Sequence, residues 1–178
     1  MIRLKHLLRE MSDSDIRRCL DKIQNKQFKL IAQGDNGRVY EINDEDKVFK
    51  ITKEQDEYQV AERIVNKADK FTSFIPVYYV NGQDMYIMAN AEQLPSQMKQ
   101  EIDSFMQEFA SYARDKGGEV SIFEFMQQTD SINARLDNFL NALQRDVERL
   151  NIPEFDLDLD FKSDNMMIWN GKMVLVDW

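Results

Sequence analysis

The sequence predicts an α+β protein, with antiparallel strands in its first half and amphipathic helices in its second half. Short apolar runs in the first 91 residues are separated by turn residues such as Asn81-Gly82, which is typical of antiparallel hairpins. Two longer stretches, residues 96–116 and 132–150, repeat apolar side chains at helical spacing. A closing hairpin is predicted where two apolar runs flank Asn170-Gly171.

Composition excludes several classes of protein. The chain has 178 residues, enough for one domain or a small two-lobed protein, and its net charge of −9 argues against nucleic-acid binding. Cys19 is the only cysteine, so no internal disulfide can form and we expect a reducing, cytoplasmic compartment. His6 is the only histidine, which argues against His-rich metal sites and His-dependent nucleophilic catalysis. No apolar run is long enough to span a membrane.

The first 25 residues predict a basic peptide followed by a short helix. Ser12 or Ser14 can cap this helix. Its predicted apolar face consists of Ile16, Leu20 and Ile23. Residues 1–10 are typical of the first turns of a helix, but Leu8-Arg9-Glu10 also resembles the cleavage motif of capsid-targeting peptides in internal proteins of some tailed phages. In that second case the protein would be packaged in the virion and delivered to the host cytoplasm.

The most informative motif lies near the end of the sequence, where Asp160-Phe-Lys162-Ser-Asp-Asn165 precedes the closing hairpin and Asp177 follows it. Pairing of the hairpin strands should bring Asn165 and Asp177 close together at one end. Their side-chain oxygens would suit a hard cation. A calcium loop starting at Asp156 is excluded, because its sixth position lacks Gly and its twelfth lacks Glu.

This motif resembles the catalytic loop and metal-binding hairpin of protein kinases and kinase-like phosphotransferases, H-R-D-L-K-x-x-N followed by D-F-G. The resemblance implies that Asn165 and Asp177 bind Mg²⁺. It further implies that Asp160 accepts the proton of the substrate hydroxyl and that Lys162 neutralises the transferring phosphoryl group. Asp158 replaces the family's His. The sequence also lacks the family's activation segment and the helices after it, so we expect a reduced C-lobe.

Residues 32–42 resemble the family's glycine-rich loop, G-x-G-x-x-G-x-V. Ala32 occupies the first glycine position, and Gly34 and Gly37 occupy the other two. The resemblance implies that the loop amides hold the ATP phosphates and that Val39 lies against the adenine. Taken alone, this stretch is equally typical of an ordinary hairpin turn.

The next strand resembles the family's V-A-I-K and carries Lys50, which would contact the nucleotide phosphates. Thr52 and Gln55 form a capping box, so a helix should begin directly after Thr52. In the family this helix carries a glutamate that pairs with the lysine. Glu57 shares the apolar stripe that should pack on the sheet and Glu62 does not, so we choose Glu57 and keep Glu62 as the alternative.

Residues 88–91 correspond to the family's hinge. The resemblance implies that Met88 is the gatekeeper and that backbone groups of Met88, Ala89 and Asn90 meet the adenine edge. A methionine at this position is equally explained as part of the core.

Together these motifs predict a protein kinase-like fold, with a five-stranded antiparallel N-lobe carrying one helix and a reduced, mostly helical C-lobe. We expect an N-terminal segment at residues 1–25, the N-lobe and hinge at 26–91 and the C-lobe at 92–178. The implied cofactors are ATP and Mg²⁺, and the implied activity is transfer of the γ-phosphate to a protein Ser/Thr or a small-molecule hydroxyl. The alternative is a non-catalytic, pseudokinase-type binding module, such as a phage protein that modulates a host partner.

The helix predicted at residues 132–150 has a long apolar stripe. In a full kinase this helix packs against helices that follow the metal-binding Asp. Without them, an apolar patch should remain that a second copy or a partner protein covers, with Phe139, Leu143 and Val147 near the contact. The alternative is that the helices from Ser96 onward repack and close the core themselves.

Overall fold

A computed structural model of the chain describes residues 11–118, 120–129, 133–151 and 161–178. The candidate capsid-targeting peptide and Asp160 lie outside these residues. The chain forms two compact units. The first comprises Met1–Phe71 and Ile75–Asn90, and the second comprises Thr72–Phe74 and Ala91–Trp178.

The first unit contains an antiparallel five-stranded sheet and two helices. Its elements are α1 (Asp13–Gln24), β1 (Phe28–Gln33), β2 (Gly37–Ile42), β3 (Lys47–Thr52), α2 (Gln55–Ile64), β4 (Val77–Val80) and β5 (Met85–Ala89). The strand order is β1-β2-β3-β5-β4. The five strands and the helix after β3 confirm the fold class predicted for the N-lobe.

The second unit is mostly helical, as predicted for the C-lobe. Its elements are β6 (Glu92–Gln93), α3 (Ser96–Asp115), α4 (Ile122–Met126), α5 (Ala134–Leu150), a 3-10 helix (Ser163–Asn165), β7 (Met166–Trp169) and β8 (Lys172–Leu175). None of the helices in the described part of the chain combines the length and apolar character that a membrane span requires.

Helix α1 covers one face of the first sheet. Its Cys19 is fully buried. The cluster around it consists of Cys19, Ile42, Phe49 and Ile87. Glu45, between β2 and β3, fastens the helix by accepting bonds from Arg18 Nε at 2.7 Å and Nη2 at 3.0 Å. The bond from Arg18 lowers the pKa of the Glu45 carboxyl, which keeps this carboxyl ionised at neutral pH.

The opposite face of this sheet carries the candidate nucleotide-binding side chains. Residues directly opposite one another in a ladder share a face, as do alternate residues along one strand. Val39 pairs with Lys50, and Lys50 pairs with Tyr86. Val48 pairs with Met88. These five side chains therefore lie on the face away from the α1 cluster.

Helix α2 begins later than the capping box predicted. It starts at Gln55 after an N-cap Glu54 that makes no side-chain capping bond. Thr52 is instead the last residue of β3, where its N–H donates to Asp84 O at 2.8 Å. Its hydroxyl donates to the Glu57 carboxylate. Strand pairing thus uses the Thr52 N–H that a capping box would need, while the Thr52 hydroxyl oxygen accepts from Glu54 N at 3.1 Å.

The apolar stripe of α5 is buried within the second unit. Phe139, Leu143 and Val147 are 4%, 0% and 4% exposed. Helix α5 contacts α4 and β8, and the Phe139 ring lies 6.0 Å from the Phe161 ring. The prediction that these three side chains lie at a self-association or partner surface is wrong, because α4 and the closing hairpin cover them. The helix itself begins at Ala134. Ile132, at the start of the predicted helix, lies outside the described residues.

The closing hairpin forms as predicted. Asn170 and Gly171 both have positive φ, 49° and 75°, which the tight two-residue turn requires. Strand β6 pairs with β7 and gives a three-stranded sheet in the order β6-β7-β8. The sequence did not predict β6, because a two-residue strand has too few residues to show an alternating pattern.

Candidate functional site

A buried ion pair joins strand β3 to helix α2. Lys50 Nζ lies 2.6 Å from Glu57 Oε1, and the two residues are 5% and 3% exposed. Of the two carboxylates considered from the sequence, Glu57 contacts Lys50, whereas Glu62 is exposed. Burying both charges costs free energy, which their mutual attraction offsets only when the geometry is good. A contribution to stability is therefore a weak explanation for a buried ion pair of this kind. It identifies a candidate functional site in the first unit.

Two hydroxyl groups also donate to the Glu57 carboxylate. Thr52 Oγ1 donates to Oε2 at 2.6 Å, and the hydroxyl of the fully buried Tyr86 donates to Oε1. These bonds fix the carboxylate in the orientation that meets Lys50. Sequence reasoning missed both roles. Period-two alternation puts Tyr86 on the same face as Met88, but only the register between β3 and β5 puts it beside Lys50.

The glycine-rich stretch forms a closed turn between β1 and β2. Gly34 N donates to Gly37 O at 3.0 Å. Lys53 secures the tip, with its N–H donating to Asn36 O at 2.8 Å and its Nζ donating to Asp35 O at 2.9 Å. Because the Gly34 amide is already bonded, phosphate oxygens at this turn would have to meet other amides.

The two glycines of this turn differ in what the fold requires of them. A Cβ on Gly37 would lie 2.6 Å from Ile51 O and 3.3 Å from Lys50 Cε. A Cβ on Gly34 would meet no atom within 4 Å. Neither glycine has positive φ. The close approach of β2 to β3 therefore explains Gly37, while nothing in the described structure demands a glycine at position 34.

We expect Gly37→Ala to destabilise the protein and Gly34→Ala to leave its stability nearly unchanged. The first change forces a backbone shift and should cost about 1–3 kcal/mol, whereas the second should stay within about 0.5 kcal/mol. Urea unfolding of both variants measures the difference. Equal losses would contradict the described packing of Gly37. A loss of ATP affinity in Gly34→Ala at unchanged stability would indicate contact between ligand and turn.

The predicted hinge residues lie at the C-terminal end of strand β5. Met88 and Ala89 are buried and Asn90 is exposed. Ala89 N donates to Pro76 O at 3.0 Å, and Asn90 N donates to Asp46 O at 3.1 Å. These two N–H groups are therefore not available to an adenine edge.

In the second unit, the β7–β8 hairpin brings Asn165 and Asp177 to one end. Met166 pairs with Leu175, and Val176 N donates to Asn165 O at 2.9 Å. Asp177 follows immediately and is partly exposed, while Asn165 is 6% exposed. The backbone ladder thus makes these two residues spatial neighbours.

The donor set of these two residues fits Mg²⁺. An amide oxygen and a carboxylate are hard oxygen ligands, and Mg²⁺ in proteins usually takes one or two carboxylates with water and phosphate oxygens completing the octahedron. Within the described ranges, no group of three or more His, Cys, Asp or Glu side chains could hold a metal ion. A metal at this hairpin would therefore need ligands beyond the described side chains, such as bound phosphate or water.

The loop before β7 is anchored to helix α3. Lys162, which is exposed, caps the 3-10 helix, and its carbonyl accepts from Asn165 N at 3.0 Å. Asp164 accepts from Lys99 Nζ at 3.1 Å. These contacts place the loop that carries Lys162 against the first turn of α3.

No protein-family model matches the chain, and no curated protein matches it. Among solved structures, the chain is similar to the streptomycin-ATP-APH(2")-IIa ternary complex at 17% sequence identity and a TM-score of 0.35. That similarity covers 94% of this chain and 70% of the other. A TM-score this low does not support the assignment of any site residue, so the candidate site is based only on the contacts described above.

Proposed function

We propose that the chain is a minimal ATP-dependent phosphotransferase, which transfers the γ-phosphate of Mg-ATP to a protein Ser/Thr or a small-molecule hydroxyl. The supporting observation is the buried Lys50–Glu57 pair with its two hydroxyl donors. The Lys50 ammonium, held in a fixed position by Glu57, suits the binding of nucleotide phosphates. Catalysis of phosphoryl transfer consists mostly of such positioning and electrostatic stabilisation.

Residues of the first unit would bind the nucleotide. Lys50 would contact the phosphates, and the turn containing Gly34 and Gly37 would approach them through its backbone. Val39 lies on the same sheet face as Lys50, where it would contact the adenine. The backbone of residues 88–90 would meet the adenine edge.

Residues of the second unit would bind the metal and move the proton. Asn165 and Asp177 would hold Mg²⁺, which neutralises charge on the phosphate oxygens when bound. The substrate oxygen would form its bond to the γ-phosphorus as the bond to the ADP oxygen breaks. Asp160 would accept the proton of the hydroxyl, and Lys162 would offset the charge of the transferring phosphoryl group.

The proposal predicts that the wild-type chain transfers labelled phosphate from [γ-³²P]ATP in the presence of Mg²⁺. Acceptors would be a Ser/Thr peptide library in one arm and a library of small hydroxyl compounds in the other. Asp160→Asn should lower transfer at least about a hundredfold, because it removes the proton acceptor. ATP binding should persist in this variant. ATP binding by wild type without transfer in either arm would favour the non-catalytic binding module. Absence of ATP binding would overturn the phosphotransferase and point to a nucleotide-free form of that module.

A further inference from the structure

Helix α5 carries a carboxylate at a position in its buried stripe. Asp146 is 1% exposed and lies three residues after Leu143 and four before Leu150, which are both buried. A carboxylate buried among apolar side chains is costly unless its oxygens are hydrogen-bonded. The proposed function does not use Asp146, so its burial calls for a separate explanation.

Both oxygens of Asp146 are bonded within the second unit. Oδ2 accepts from Ser73 N at 2.8 Å and from Ser73 Oγ at 2.9 Å. Oδ1 pairs with Arg149 Nη1 at 3.0 Å. Ser73 is fully buried and belongs to residues 72–74, which are part of the second unit although the chain on either side is part of the first. Asp146 therefore fixes the backbone of this short segment.

The same segment borders strand β8. Leu175 N donates to Ser73 O at 2.7 Å, and Phe74 forms a parallel bridge with Leu175. The ring of Phe74 also meets the Trp178 ring edge-on, with centroids 5.4 Å apart. Because Val176 N donates to the β7 side, the Leu175 N–H points to the other side of the strand. The chain is thus held on both sides immediately before Asp177.

We propose that Asp146 is a positioning residue for Asp177. By holding Ser73, it fixes the backbone at Leu175, two residues before the proposed Mg²⁺ ligand, and so determines where that ligand lies. This inference rests on the proposed function. Outer partners that orient a metal ligand typically change metal affinity by about 10–100-fold when they are removed.

Asp146→Ala is the sharpest test, because it removes both acceptor oxygens, whereas an Asn could still accept both Ser73 bonds through its amide oxygen. In ligand-free protein, hydrogen exchange at the Leu175 amide should accelerate about tenfold or more. With ATP present, the Mg²⁺ concentration for half-maximal thermal stabilisation should rise about 10–100-fold. Ser73→Ala, which keeps the N–H bond, should give a smaller rise and serves if Asp146→Ala does not fold. Arg149→Ala removes a partner of Oδ1 and lowers stability, but it leaves both Ser73 bonds, so the Mg²⁺ midpoint should change by less than about twofold.

Each outcome is decisive. Wild-type protein without any Mg²⁺-dependent stabilisation by ATP would overturn the proposed function and the positioning role with it. Normal wild-type behaviour, with unchanged Mg²⁺ midpoints in Asp146→Ala and Ser73→Ala, would overturn the positioning role alone. A lower melting temperature with an unchanged midpoint would likewise assign Asp146 to stability only.

Discussion

Lys50→Met should lower phosphate transfer about 10²–10³-fold and also destabilise the protein. Methionine has a similar length but no charge, so it can stabilise neither the nucleotide phosphates nor the Glu57 carboxylate. Glu57 would remain buried with hydrogen bonds from Thr52 and Tyr86 but without its cation. Leaving one partner of a buried ion pair uncompensated costs about 3–5 kcal/mol.

Two glutamine substitutions distinguish the loss of the Lys50–Glu57 ion pair from the loss of any negative charge on helix α2. Glu57→Gln keeps the side-chain shape but cannot pair with Lys50, so it should also depress transfer. Glu62→Gln removes the same charge from an exposed position on the same helix and should change stability by less than about 0.5 kcal/mol, with normal transfer. Transfer rates should be measured at a temperature where urea unfolding shows every variant folded. Damage from Glu62→Gln and none from Glu57→Gln would contradict the proposed role of the pair.

Asp177→Ala should remove most of the Mg²⁺-dependent part of the stabilisation by ATP. For wild type at an Mg-ATP concentration a hundredfold above the dissociation constant, ligand binding should raise the free energy of unfolding by about 2.7 kcal/mol. Loss of the carboxylate leaves Asn165 as the remaining ligand that the hairpin would offer, which is too little to hold the metal against water. Thermal melts with ATP, with and without Mg²⁺, measure the difference.

Asp164→Ala is the matched control, because it removes the same charge from the neighbouring 3-10 helix before β7. Its pair with Lys99 lies at the surface, where such pairs contribute about 0–1 kcal/mol. The Mg²⁺-dependent shift should therefore survive. Urea unfolding of both variants without nucleotide shows whether either substitution changes the stability of the fold itself, as distinct from Mg²⁺ binding. A full Mg²⁺-dependent shift in Asp177→Ala would show that the hairpin is not the metal site.

Local patterns were sufficient to predict most of the elements, including the strand containing Lys50, but not β6 or the start of α2. Asn170-Gly171 predicted the closing turn, because few other residue pairs tolerate two positive φ angles. The Ser12 or Ser14 hydroxyl was predicted to cap the start of α1, and Ser12 does so by accepting a bond from Asp15 N. Helical periodicity favoured Glu57 over Glu62 as the residue facing the sheet. Each of these signals spans only a few residues, so the sequence by itself determined them.

Beyond the Lys50–Glu57 pair and the Asn165–Asp177 end of the hairpin, only the tertiary structure decided which polar groups meet. Ser73 and Asp146 are 73 residues apart in the chain, and no local pattern marks either as a partner of the other. Tyr86 reaches Glu57 only through the register of β5 against β3, and a shift of one residue would turn it to the other face. The burial of Phe139 likewise depends on elements distant in sequence. Periodicity determines which face of an element is apolar, whereas the partners of that face depend on long-range packing.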